Sequence, residues 1–548
     1  MIETGRSVFE TFEVAAARWP DCAFLAVGPL EGRGHDPEGI ELSYAQTADA
    51  VRRLATLLTE AGYGRGHRLA LLQGNRVDHF LWVLAMNAVG CVAVPLPTEG
   101  TPEELAYVIA HSEAALVVGA DPYAPALTQA IAICDTDVPL ACGPAAPLPK
   151  SRRPESGRAA PSTDDIACVL YTSGTTGKPK GCEIPNDYFL HIGRFYEDAG
   201  GLAELREAQE RIFTPLPVFH QNAGLFTFMG AMLTGNCLVL TDRFHASSWW
   251  QEVADSRATV IHYLGVMPAI LLHCPDPAPG SIANVRFGIG AGVDPTLHVA
   301  FEKRFGFPLI ELWGMTETGG GFVASHEPRD IHKRAFGRPG SRAGFDFDIR
   351  IVDGDDRDMP CGAAGELLVR RSGPNPRKAM FAGYLKDPKA TDEVWTGGWF
   401  HTGDVVVQDE TGMLSFVERK KNIIRRAGEN IAASEVEAVI AELPGVRQAV
   451  VLAVPDPIRE EEVMAVIVPE EGRPTDDLAE SVFQACLAGL AYYKAPAWIL
   501  FRTSLPATST QKVQKQKIFE AGEDPLLQPG LMDFRDRKKP VKQGGDAA

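Results

Sequence analysis

Residues 171–181 read Tyr-Thr-Ser-Gly-Thr-Thr-Gly-Lys-Pro-Lys-Gly. This stretch mixes the hydroxyls of Thr172, Ser173, Thr175 and Thr176 with the glycines Gly174, Gly177 and Gly181 and the ammonium groups of Lys178 and Lys180. Glycine lets backbone come close to an anion, hydroxyls donate to its oxygens, and lysine can follow the charge of a leaving group. The loop therefore predicts a site for a nucleotide's phosphates, with ATP as the nucleotide. A P-loop needs Gly, four residues and then Gly-Lys-Ser/Thr, so that the last hydroxyl reaches a metal. Here Pro179 follows Gly177-Lys178, and Thr172 stands where the first glycine would be. That class is excluded, and a kinase glycine loop fits no better.

Four more strings follow in order: ELWGMTET at 311–318, WFHTGD at 399–404, ERKKNIIRRAGENI at 418–431 and LPATSTQKVQK at 505–515. Taken singly, each has a bland reading: a solvated carboxylate at Glu317, a surface pair at Asp404 and Arg419, a solvated basic stretch around Lys512. Together with the loop at 171–181 they resemble the adenylate-forming superfamily, which includes acyl-CoA synthetases, nonribosomal adenylation domains and beetle luciferases.

The resemblance implies an enzyme that activates a carboxylic acid with ATP and magnesium. Thr172, Ser173, Gly174, Thr175, Thr176, Gly177 and Lys178 would hold phosphates. Trp313, beside Gly314, would stack on adenine, against which the turn Gly290-Ala291-Gly292 is laid, and Thr316 would touch phosphate. Glu317, with Thr172, would hold the magnesium. Asp404 and Arg419 would take the ribose hydroxyls, Lys421 would sit at a pivot between domains, and Gly428 would leave room for pantetheine in a tunnel. Lys512 aligns with the catalytic lysine, and His220, within LPVFHQNAG, matches a gate beside the acyl carbonyl. Two departures stand out: Trp313 replaces a commoner Tyr, and Gln511 replaces the glycine before the lysine. Lys515 and Lys517 lie close by, yet neither keeps the Leu505-Pro506-x-Thr508 register.

By the same resemblance, the acid's oxygen attacks the α-phosphorus of ATP, pyrophosphate leaves, and a thiol then displaces AMP from the acyl-adenylate. Coenzyme A is the implied acceptor, because AGENI and TQKVQK look like bacterial CoA ligases of the crotonobetaine/carnitine and medium-chain acid type. An enzyme that loads a carrier protein is the nearer alternative. A nonenzymatic ATP-binding protein is the more distant one, suggested only by Gln511. Phe219, His220, Asn222, Ala223, Tyr263, Leu264, Gly265 and Met267 are candidate pocket positions for a modest acyl group. Trp249 and Trp250 read as packing residues rather than a cage for a cation.

Composition agrees. With 71 acidic against 53 basic residues the net charge is -18, which argues against nucleic acid or an anionic membrane as partner. Ten cysteines occur with no Cys-x-x-Cys pair, so they read as buried thiols of a reducing, cytoplasmic setting rather than zinc or redox ligands. The N-terminus has no signal-peptide pattern. The apolar stretch 80–97 is broken by Asn87, Gly90 and Pro95, so it predicts a helix, a turn and a strand in place of a membrane span. Many members of the resembled family form homodimers.

The chain is too long for one core. Short apolar strands at 68–72, 92–96, 237–240, 260–263 and 285–289 alternate with amphipathic helices, which predicts an α/β protein. Ser43 and Gln46 form a capping-box pattern ahead of Val51, Leu54, Leu57 and Leu58, and Gly62 ends that helix. A large N-terminal domain of several subdomains with doubly wound sheets is expected at 1–419. A small α+β lid is expected at 420–523, with a capping box at Ser434 and Glu437, strands at 446–454, 463–468 and 498–501, and a helix at 476–493. From 524 to 548 charge clusters without periodicity predict a poorly ordered tail.

Overall fold

The fold was read from a computed structural model of the chain, which describes all residues except 1–3, 31–33, 144–147, 154–160, 173–177, 341–346, 427–428, 458, 471–475, 508–512, 521 and 539–548. Two compact units result. One comprises Met1–Ile349, Leu368–His401 and Glu410–Ser415, and the other Arg350–Leu367, Thr402–Asp409 and Phe416–Ala548.

The first unit holds two large sheets. In the eight-stranded sheet the order is Gly320–Val323, Leu309–Met315, Phe287–Ala291, Val260–Leu264, Arg211–Thr214, Cys237–Leu240, Ala23–Val27, Ile40–Ser43. Its inner strands run parallel and both edge strands antiparallel. The seven-stranded sheet runs Gly383–Tyr384, Lys180–Pro185, Ile166–Thr172, Val92–Pro95, Arg68–Leu72, Leu116–Gly119, Leu140–Cys142. Strands such as Val92–Pro95, Leu116–Gly119 and Cys237–Leu240 are buried along their whole length. They read as unbroken apolar runs because helices cover a parallel sheet on both faces.

Local signals were largely obeyed. Ser43 Oγ accepts from Gln46 N at 3.2 Å and Gln46 Oε1 accepts from Ser43 N at 2.8 Å, closing the capping box of helix Tyr44–Glu60. Gly62, with φ +85°, lies just past its end. Leu57, however, is 44% exposed, because the buried stripe follows Val51 and Leu58. The apolar stretch 80–97 splits into helix Val77–Ala88, a turn at Gly90 with φ +77°, and strand Val92–Pro95. No helix among the described residues is long and apolar enough to cross a membrane.

The second unit is an α+β body. Its sheet runs Glu429–Ala432, Ile423–Arg426, Glu460–Pro469, Trp498–Phe501, Met532–Asp533, with Val446–Asp456 paired to Glu460–Pro469. Helices Ala433–Ala441 and Asp476–Gly489 pack through Val436, Ile440, Val482 and Phe483 onto Val463, Ala465 and Ile467.

Three expectations fail here. Ser434 and Glu437 form no capping box: the Ser434 hydroxyl donates to Val417 O at 3.3 Å, and Glu437 accepts from Val451 N at 2.7 Å and pairs with Lys515. Tertiary partners outcompete the local cap. The helix expected to reach 493 ends at Gly489, and a 3₁₀ turn follows at Tyr492–Lys494. The tail expected to be unordered from 524 is packed as far as Lys538. Met532–Asp533 extends the sheet beside Trp498–Phe501, Phe534 stacks on Phe483 at 4.8 Å, and Arg537 grips Glu480 with two contacts of 2.6 Å. The charges that looked solvated have partners on the domain, and the apolar contacts come from Leu526, Leu531, Met532 and Phe534.

Candidate active site

Strands Ile166–Thr172 and Lys180–Pro185 form an antiparallel hairpin in which Thr172 stands opposite Lys180. The connecting residues Ser173, Gly174, Thr175, Thr176 and Gly177 lie outside the described residues. Their flanks are fixed: Lys178 Nζ is 5.4 Å from the centre of the Tyr107 ring, and Lys180 Nζ is 4.9 Å from that of Tyr384.

Cys182, the next inward-facing residue after Lys180, joins two distant motifs. Its Sγ is 3.9 Å from Thr172 Oγ1, and it also hydrogen-bonds Glu317. Burial first, and then the neighbouring Glu317 charge, hold the thiol well above its usual pKa, so it stays protonated and acts as a donor. Thr172 and Glu317 are thus brought to one place.

Glu317 follows strand Leu309–Met315 on a tight turn. Thr318 Oγ1 accepts from Met315 N at 3.1 Å and donates to Gly320 O at 2.7 Å. Gly319 has φ +65°, and a Cβ there would stand 2.2 Å from Ala379 O, so the turn requires glycine. Buried Arg371 donates to Thr318 O at 3.0 Å and Gly319 O at 3.1 Å, and Phe381 N donates to Glu317 O at 3.0 Å. The buried carboxylate of Glu317 accepts from Tyr384 Oη at 2.9 Å. Thr316 O accepts from Tyr188 Oη at 2.9 Å, and Gln221 Nε2 donates to the same phenol oxygen at 2.8 Å. The segment at 220–222 is therefore tied to the turn that carries Thr316 and Glu317.

His220 is open to solvent but stands among dense protein, and desolvation lowers its imidazole pKa to about 4. It is neutral at pH 7. A π-helix, Asn222–Thr227, begins two residues later, a distortion that often marks functional sites. Fully buried His262 anchors it: Nδ1 is 2.8 Å from Asn222 Oδ1 and Nε2 is 2.9 Å from Tyr196 Oη. With Asn222 Oδ1 as acceptor, Nδ1 carries the proton and Nε2 accepts from Tyr196. Burial lowers the His262 pKa to about 3, so this chain of bonds holds no charge.

The turn Gly290-Ala291-Gly292 closes strand Phe287–Ala291. Glu311, a buried residue that sequence reasoning did not single out, holds it by accepting from Gly292 N at 2.8 Å, Val293 N at 3.4 Å and Tyr263 Oη at 2.7 Å. Burial raises the Glu311 pKa, and these donors oppose the shift. A Cβ on Gly290 would meet Tyr263 O at 2.2 Å, and one on Gly265 would meet Gly292 O at 1.8 Å. Tyr263 and Gly265, candidate pocket positions, thus serve to lock this turn. Trp313 is 6% exposed, packed against Phe322 and Phe336 with ring centres 5.6 and 6.0 Å away, while neighbouring Gly314 is exposed.

In the second unit Asp404 and Arg419 meet. Arg419 Nε is 2.6 Å from Asp404 Oδ1, and Asp404 is 1% exposed. Thr402 Oγ1 accepts from Asp404 N at 3.1 Å and donates to Leu367 O at 2.6 Å. Gly403 N and Lys420 Nζ both donate to Glu366. Lys421 lies in the 3₁₀ turn Lys420–Asn422, and its side chain, like Gly428 and Lys512, lies outside the described residues.

Among the described residues no group of three or more His, Cys, Asp or Glu side chains converges. Magnesium keeps much of its shell as water and phosphate oxygen and takes one or two carboxylates. Buried Glu317, with the Thr172 hydroxyl nearby, is an oxygen donor set of that kind.

The chain matches the AMP-binding enzyme family model over residues 12–385 and the model of its C-terminal domain over 435–512. It is 31% identical over 500 residues to a crotonobetaine/carnitine–CoA ligase of Citrobacter koseri, covering 88% of this chain and 94% of that protein. It is 32% identical over 531 residues to a sulfoacetate–CoA ligase of Cupriavidus necator, covering 94% and 98%. Among solved structures, an anthranilate CoA ligase, AuaEII, in complex with anthranoyl-AMP has the same fold, with a TM-score of 0.80 at 21% identity over 94% of this chain and 97% of that one. So does the o-succinylbenzoate CoA synthetase of Bacillus subtilis in complex with its acyl-adenylate, at 0.77 and 23% over 94% and 98%.

Proposed function

The chain belongs to the AMP-binding enzyme family, and we infer that it is an ATP-dependent, AMP-forming acid–CoA ligase. Thr172 and Lys180 of one hairpin and Glu317, distant from them in sequence, converge around Cys182 and Tyr384, and that convergence carries the inference.

In the first half-reaction a carboxylate oxygen attacks the α-phosphorus of ATP and pyrophosphate leaves, so negative charge gathers between two anions. Lys178 and Lys180 flank the phosphate loop and oppose that charge. Glu317 and Thr172 would hold a magnesium ion, which supplies further charge neutralisation when bound. Lys512, by its place in the last motif, would reach the transferring group. Adenine would lie against Gly290-Ala291-Gly292 and exposed Gly314, with Trp313 behind them, and Asp404 with Arg419 would take the ribose hydroxyls.

In the second half-reaction the thiol of CoA attacks the acyl carbonyl and AMP leaves. A histidine with pKa near 4 is a poor base for a thiol, so His220 would shape the thiol's approach and leave proton removal to others. The segment 420–523 would move as a lid about Lys421, with Gly428 in the thiol channel. The enzyme would work in the cytoplasm, as a homodimer.

Pyrophosphate release with ATP and magnesium, across a panel of acids with and without CoA, tests this. Acid-dependent release that CoA accelerates and that Glu317→Gln and Lys512→Ala abolish is expected. Release indifferent to CoA would point to a carrier-protein acceptor, and no release with any acid would overturn the assignment.

A further inference from the structure

A cavity of about 250 Å³ lies in the first unit just beyond the turn that carries Glu317. Its walls come from separate elements: Phe195 from helix Asn186–Glu197, Phe322 from strand Gly320–Val323 and Phe347 from the start of strand Phe347–Val352. Asp198, His326 and Arg338 add a polar edge.

The cavity borders strand Gly320–Val323, which follows the Glu317 turn directly. The Phe195 ring lies 3.4 Å from where a Cβ on Gly320 would stand, so glycine there leaves the ring room at the wall. Gly321 also lines the cavity, and a Cβ on it would strike Trp313 O at 1.8 Å. Cavity and turn share one stretch of backbone.

The walls are held rigid. Phe322 packs against Trp313, Phe336 and Phe347, with ring centres 5.6, 6.1 and 5.8 Å away. The Arg371 guanidinium, which also holds the carbonyls of Thr318 and Gly319, sits 3.9 Å from the centre of the Phe347 ring. Phe195 faces Phe226 of the π-helix at 5.9 Å. Arg338 is fixed by Thr411 O at 3.2 Å and Pro328 O at 3.2 Å.

We propose that this cavity receives the body of the acid, and that the acid is a compact, single-ring aromatic carboxylic acid whose ring lies among Phe195, Phe322 and Phe347 with any polar substituent toward Asp198, His326 and Arg338. The inference rests on the acid-activating function above. Its space, on the order of eight water volumes, is enough to take one ring. Three phenyl walls from three elements offer edge and face contacts that a ring satisfies and a short aliphatic chain does not.

The test compares benzoate and amino- or hydroxybenzoates with butanoate and hexadecanoate, reading pyrophosphate release and calorimetric binding of the matching acyl-sulfamoyl adenosines. At least a tenfold preference in kcat/KM for the aryl acids is expected, mirrored in affinity. Val323→Phe, at a residue that lines the cavity, should raise KM for aryl acids several-fold and leave that for butanoate within twofold, provided its melting temperature matches the parent's. Equal or better use of either aliphatic acid, or aryl KM indifferent to Val323→Phe, would overturn the proposal while leaving acid activation intact. Failure of every acid and every analogue would instead strike at acid activation itself.

Discussion

The phenol of Tyr384 donates to Glu317 Oε1 at 2.9 Å, while Lys180 Nζ lies 4.9 Å from the centre of the same ring. One tyrosine therefore orients the acidic group of the turn and neighbours a lysine of the hairpin formed by Ile166–Thr172 and Lys180–Pro185. The tyrosine pKa lies far above its usual range, through burial first and the Glu317 charge second, so the hydroxyl keeps its proton and remains a donor.

Tyr384→Phe removes that bond and leaves the ring. A hydrogen bond to a charged group is worth about 1.5–3 kcal/mol, which corresponds to roughly a 10- to 150-fold loss in kcat/KM for acid-dependent pyrophosphate release. The magnesium concentration for half-maximal rate should rise as well, because the carboxylate is less well oriented. Titrating magnesium at saturating ATP checks this; an unchanged magnesium requirement would show that Tyr384 serves only packing.

Asp404 is buried and its partner Arg419 is partly exposed, with the ion pair at 2.6 Å. Arg419→Ala leaves a buried carboxylate without that cation. Breaking a fully buried pair costs about 3–5 kcal/mol, and partial solvent access at Arg419 lowers this to roughly 1–3 kcal/mol. Thermal melting should register the loss. The KM for ATP should rise several-fold in the same variant, since Asp404 and Arg419 are proposed to hold the ribose together; KM unchanged at equal stability would remove the pair from the nucleotide site.

The packed C-terminal segment makes a prediction about pH. Lys538 Nζ is 2.6 Å from Glu462 Oε1, both side chains are 1% exposed, and Arg426 Nε is 2.8 Å from the same oxygen. Burial lowers the Lys538 pKa to about 8, against the attraction of Glu462 and with the repulsion of Arg426 and Arg459. The unfolded chain, with an ordinary lysine near 10.5, binds the proton more tightly, so stability attributable to Lys538 rises as pH climbs from 8 toward 10.5. At most this is about 3 kcal/mol. The stability of the parent relative to Lys538→Met should therefore increase across that window in urea titrations, and a difference independent of pH would contradict the depressed pKa.

The hairpin of Ile166–Thr172 and Lys180–Pro185, the Thr316–Glu317 turn and the Asp404–Arg419 pair stood out in the sequence because each lies in a short string that resembles a family's motif, and the roles proposed for them rest on that resemblance. Parallel strands were legible because burial on both faces leaves an unbroken apolar run. Glu311 was not, since a glutamate among apolar strand residues looks alike whether it is solvated or locks a glycine turn. Cys182 and Tyr384 were missed for a related reason: their roles arise only when strands Lys180–Pro185 and Gly383–Tyr384 pair. The segment 524–538 misled because its charges carry no periodicity, and their partners, Glu462 and Glu480, are far away in sequence.

His220 separates two accounts of the thioester step. Its pKa near 4 leaves it uncharged throughout the neutral range. If it were the base that deprotonates CoA, the rate would fall as the pH drops through about 4, and His220→Phe would remove that limb. If it shapes the thiol's path, His220→Phe should leave acid-dependent adenylation within about threefold and change the CoA step mainly through KM, about a 1 kcal/mol effect or less on adenylation by the usual conversion. The pH profile of thioester formation around pH 4, where this imidazole titrates, should then be the same shape in parent and variant. Single-turnover transfer from preformed acyl-adenylate, followed at several pH values, distinguishes them: a limb present in the parent and absent in the variant would make His220 a proton acceptor after all.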